Sequence, residues 1–139
     1  MKYFTQNIRK FAGYTLVITL VFRYFISAAL RNHYYLSAIL SAIIYGILIF
    51  IVGWIYGKKE KEFLPLYDIG FRLHLITYII CISISEAWFL LGFQSQYEKI
   101  ISIHYCAIFW GIGLILHSLF FLKTRKKVIN GLKKDEIFE

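Results

Sequence analysis

Apolar residues run almost unbroken through four stretches of this chain, roughly 11–30, 34–56, 71–93 and 100–122. Each is about 20 residues long, enough at about 1.5 Å per residue to cross a hydrocarbon core about 30 Å thick. A soluble helical bundle needs a polar outer face on every helix, and these stretches have none. The pattern predicts four transmembrane helices, because in lipid each span must satisfy its own backbone hydrogen bonds. Their connections are short: 31–33, 57–70 and 94–99. A tight connection between two helices makes them antiparallel. The expected fold is therefore all-α, an integral membrane four-helix bundle built from two antiparallel hairpins.

Composition leaves little room for anything else. With 139 residues, 59% of them hydrophobic, and a mean hydropathy of +0.62, the chain reads as one membrane domain over residues 1–139. The first stretch has features of a secretory signal, with Lys2, Arg9 and Lys10 before it and Ser27, Ala28 and Ala29 at its end. Arg23 inside the run argues for a retained helix instead.

Charge orients the spans, since Lys and Arg in short flanks stay on the cytoplasmic side. With both termini cytoplasmic, that side holds Lys2, Arg9 and Lys10, then Lys58, Lys59, Lys61 and Arg72, then Lys123, Arg125, Lys126, Lys127, Lys133 and Lys134, thirteen of the sixteen cationic residues. Only Arg31 and Lys99 fall outside. The expected location is the cell's inner (cytoplasmic) membrane. The expected partner of the basic face is a bilayer with anionic headgroups, with no nucleic acid, since no nucleic-acid-binding motif accompanies the tail. The middle connection pairs a charged turn with a stretch around Pro65 that suits the headgroup interface, where Tyr67 and Phe71 would anchor. Tyr34, Tyr35, Trp54 and Tyr56 fall where aromatic belts belong.

Candidate chemistry is confined to polar residues placed where lipid makes them costly. Cys81 and Cys106 fall at different depths, which disfavours a disulfide. No metal-type cysteine pair, phosphate loop or nucleophile elbow occurs, so no enzyme activity is expected. Arg23 and Glu86 lie roughly 18 and 22 Å from the cytoplasmic starts of their helices at 1.5 Å per residue, so they are expected to pair, with Ser83 and Ser85 nearby. His74 and His117 fall at one level. His74, Tyr78, Cys81 and Ser85 line one face of helix 3, and Cys106, Trp110, Gly113 and His117 one face of helix 4, with His104, Gly111 and Ser118 nearly opposite. Interhelical hydrogen bonding is the plain role of these groups. A b-type haem between His74 and His117 is the sharper alternative to a protein without cofactor. On helix 2, Ala38, Ala42 and Gly46, continued by Gly53 and Gly57, form a row of small residues for close approach of helix 1 or of a second copy.

The second half, residues 67–127, resembles the bacterial two-transmembrane-helix domain family. The resemblance is carried by FxxHxxxY, Phe71 to Tyr78, by WGxGxxxH, Trp110 to His117, and by the basic tail. It implies a membrane hairpin containing both histidines, of a kind found alone or attached to signalling proteins. The combined expectation is a small non-enzymatic membrane module that acts by self-association or by binding a membrane protein partner. The alternative is an oligomeric channel or transporter using Arg23, Glu86 and the histidines.

Overall fold

The computed structural model describes residues 5–60 and 66–131, without the side chains of residues 66, 67, 121 and 124–131. The expected interfacial stretch around Pro65, and Lys2, Lys61, Lys133 and Lys134, lie wholly or partly outside the described residues. Four helices follow one another: α1 Gln6–Arg31, α2 Tyr35–Glu60, α3 Leu66–Leu90 and α4 Ile100–Gly131. Each is long and apolar enough to cross a membrane.

Their ends have local causes. Thr5 caps α1, its hydroxyl accepting from the Ile8 N–H at 3.2 Å. At the other end the N–H of His33 reaches the Leu30 carbonyl and that of Tyr34 the Ala29 carbonyl, while His33 adopts a left-handed φ of 60°. This is the Schellman arrangement, which turns the chain back within three residues, Asn32 to Tyr34. The same motif closes α3. Gly92, at φ 73°, bonds to the Phe89 carbonyl and Phe93 to that of Trp88, whose ring also packs edge-on against Phe93 at 5.3 Å. Helix 3 therefore stops at Leu90 rather than near Phe93, and the turn 91–99 is longer than expected.

Ring pairs Tyr14–Tyr56 and Phe22–Tyr45, 5.8 and 4.4 Å apart, fix α1 and α2 as antiparallel. α3 and α4 form the second antiparallel hairpin. α1 packs against both α2 and α3, α2 touches α3, and among the described residues the α4 backbone approaches α3 alone. The bundle is thus a three-helix cluster with α4 added on one side. One end carries the cationic residues Arg9, Lys10, Lys58, Lys59 and Lys123, and the other carries the two turns.

The burial pattern is inverted relative to a water-soluble bundle. α1 turns Ile8, Phe11, Thr15, Thr19, Arg23 and Ser27 inward, mostly at four-residue spacing. Large apolar residues such as Leu36, Phe50, Phe109 and Phe120 point outward, 68–72% exposed. Buried polar groups that bond to one another, beneath an apolar exterior, are the arrangement a hydrocarbon solvent favours.

Candidate functional site: a polar seam through the bundle

The inward row of α1 forms a seam in which most members reach a different element. The Thr19 hydroxyl donates to the Thr15 carbonyl at 2.7 Å and meets the Tyr45 hydroxyl of α2 at 3.2 Å. Trp88 of α3 donates its indole N–H to Ser27 at 3.0 Å. Near the basic end, Thr5 donates to the buried Glu60 carboxylate of α2. Of this row, Arg23 alone is a candidate site residue in the sequence-based expectations. The four-residue spacing of Thr15, Thr19, Arg23 and Ser27 was the signal that could have revealed the rest.

Arg23 does not pair with Glu86. Its Nη2 lies 2.6 Å from Glu98 Oε2, and both side chains are only 8% exposed. Glu98 belongs to the α3–α4 turn, and its second oxygen accepts from the Ser95 N–H at 2.9 Å. The turn is therefore folded as a hook that carries the carboxylate down to α1. Arg23 also lies over the Phe89 ring, 5.9 Å from its centroid, and its Nε has no partner. The ion pair borders a cleft of about 320 Å³ that Ser85, Ser102, Cys81 and Cys106 also line.

Glu86 instead faces α4, where His104 Nε2 lies 3.0 Å from its carboxylate. The physical reason is angular. Successive helical residues are turned by about 100°, so when Ser85 faces α1, Glu86 looks toward the neighbouring helix. Ser85 is buried beside the Arg23 cleft, whereas Ser83 is exposed.

The α3–α4 interface brings the two sequence patterns together. The His74 and His117 rings lie 5.5 Å apart, and Phe71 lies 5.9 Å from His117. Tyr78 packs edge-on against Trp110 at 5.6 Å and donates to the Ala107 carbonyl at 3.2 Å. A Cβ on Gly111 would meet the Tyr78 hydroxyl at 3.4 Å. Gly111 is thus a contact residue rather than a member of an opposite face. The seam of α4 is centred on Ile103, Ala107 and Leu114, and the two expected polar stripes flank it. Gly113 lies outside it, with nothing within 4 Å of a Cβ.

His74 also borders a groove between α2 and α3 that His117 does not line. Among the described residues, no group of three or more His, Cys, Asp or Glu is placed to hold a metal ion.

The small-residue row of α2 divides. Ala38 is buried, Gly53 faces Phe11 of α1 and Gly57 faces Leu73 of α3, while Ala42 and Gly46 point out of the bundle. α1 does not use the middle of that row because α2 presents Ser41 and Tyr45 to it instead.

At the turn end, His33 joins the two hairpins. Its Nε2 lies 3.1 Å from the Tyr97 hydroxyl, and Arg31 donates to the Phe93 carbonyl at 3.4 Å. This link joins two loops, so no span-based pattern signals it. No family model, curated protein or solved structure matches the chain.

Proposed function

We propose that this chain is a multi-pass protein of the cell's inner membrane, with both termini cytoplasmic, and that it acts as a small non-enzymatic module by self-association through α2. The observation that carries the reading is the outward placement of Ala42 and Gly46, small residues one turn apart on an otherwise bulky apolar face. In a membrane such a pair lets a second helix approach closely, so that dispersion and weak Cα–H contacts accumulate. The positive-inside bias supports the orientation.

A conducting pathway through a single copy has less support. Between the Thr5–Glu60 pair and Thr15 the seam is blocked by Ile8 and Phe11, which are 2% and 1% exposed. Arg23 and Glu98 neutralise each other rather than presenting a free charge.

Gly46→Ile tests association without disturbing the fold, because a side chain there meets open space. Energy transfer between donor- and acceptor-labelled copies in dilute liposomes is expected above random mixing for the parent, and to fall to that level for Gly46→Ile. Parent transfer at the random level would refute self-association and turn attention to a different membrane protein partner.

A further inference from the structure

Near the basic end, α2 and α3 separate around a groove of about 450 Å³ with Phe11 of α1 at its floor. It exists because glycines stand where side chains would close it. A Cβ on Gly57 would already touch Leu73 and Ile69 at 3.5 and 3.7 Å, one on Gly53 the Phe11 ring at 3.8 Å, and one on Gly70 nothing within 4 Å. From Ile49 to Lys58 the groove follows α2 for roughly 13 Å at about 1.5 Å per residue.

Polarity changes along that length. The lining is aliphatic and aromatic apart from His74 and Thr77, and the Thr77 hydroxyl is already committed to the Leu73 carbonyl at 2.9 Å. At the mouth the Lys58 ammonium lies over the Trp54 ring, 5.0 Å from its centroid, and no described carboxylate is within ion-pairing distance of it. An apolar trough ending in a cation at the basic end complements an amphiphile whose chain lies in hydrocarbon and whose anionic head lies at the surface. Basic pockets between membrane helices select anionic lipids on this principle.

We infer that the α2–α3 groove binds one anionic phospholipid, its acyl chain against Phe11 and the glycine-lined wall and its phosphate at Lys58. Gly53, Gly57 and Gly70 serve the chain, and Trp54 presents Lys58 to the head. The inference rests on the membrane reading proposed above, and its test separates the two.

Trp54 borders the groove and reports on its occupant. In a variant carrying Trp88→Phe and Trp110→Phe, Trp54 is the remaining tryptophan, and lipids with brominated chains quench it on contact. Reconstitution and flotation with the vesicles check insertion first, and failure to float would refute the membrane reading itself. In floated samples, brominated phosphatidylglycerol is expected to half-quench Trp54 at a mole fraction about fivefold lower than brominated phosphatidylcholine, the factor one surface lysine supplies. Lys58→Gln, a change at an exposed side chain, is expected to bring the two curves together. Gly70→Leu, which fills open space in the groove, is expected to weaken quenching by both lipids. Equal curves in the parent overturn the inference. So does quenching that appears only when the protein is diluted in the bilayer, which would make a second copy the occupant.

Discussion

The Arg23 guanidinium and Glu98 carboxylate are both withdrawn from solvent, so each depends on the other for compensation of its buried charge. Removing one partner leaves an uncompensated ion, which typically costs about 3 to 5 kcal/mol, whereas replacing both with apolar residues is often close to neutral. Arg23→Leu and Glu98→Leu are therefore each expected to destabilise by that amount in reversible unfolding in detergent, and the double variant to recover most of the loss. Glu86→Leu combined with Arg23→Leu is expected to be additive, because Glu86 bonds to His104. A coupling between Arg23 and Glu86 would contradict the described geometry. Sequence reasoning located Arg23 as a buried charge but matched it by depth to Glu86. A long side chain and a turn that folds inward brought in Glu98, whose position outside the apolar stretch hid it. Trp88→Phe probes a weaker link of the same seam. Losing its bond to Ser27 is expected to cost about 1 kcal/mol in the same unfolding measurement.

At the scale of elements, Gly111 and Gly113 meet different surroundings on the α3–α4 hairpin. Gly111 already lies near contact with Tyr78, whereas Gly113, two residues on, faces open space. Gly111→Leu forces α4 away from α3 and is expected to cost about 1 to 3 kcal/mol, as overpacking does. Gly113→Leu is expected to be close to neutral, and equal effects in thermal unfolding would mean that the seam of α4 is misplaced. The FxxHxxxY and WGxGxxxH patterns were legible in the sequence because polar and small residues are rare within apolar runs. Their rotation about the helix axis was not. Residues 110 and 111 differ by about 100°, and both can border one seam when its centre passes between the two stripes. The ends of α1 and α3 show the same division. Gly92 is a stop signal that the apolar run, continuing to Phe93, masked, whereas the left-handed His33 has no comparable sequence mark although the apolar run ends beside it.

For the molecule as a whole, the proposed orientation predicts opposite accessibility of the two ends. Lys59, at the end of α2, and Gln96, in the α3–α4 turn, are both exposed and are separated by α3. With Cys81 and Cys106 replaced by serine, a cysteine introduced as Lys59→Cys is expected to react with an impermeant thiol reagent only from the cytoplasmic side. Gln96→Cys is expected to react only from the other. Reversed labelling would invert the topology, and labelling of both from one side would refute the single crossing by α3 between them. The apolar and charged residues by themselves determined four helices and the basic character of one end, because hydropathy and charge are properties of residues summed along the chain. They did not determine the helix ends, since α4 runs on to Gly131 past the apolar stretch that closes near residue 122. Nor did they determine that, among the described residues, the α4 backbone would approach that of α3 alone, that Ala42 and Gly46 would face outward, or that Arg23 would take Glu98. In a bundle with an apolar exterior, hydropathy no longer separates inside from outside. Which face turns inward is decided by the hydrogen bonds and close contacts available from neighbouring helices, and these exist only once the helices are assembled.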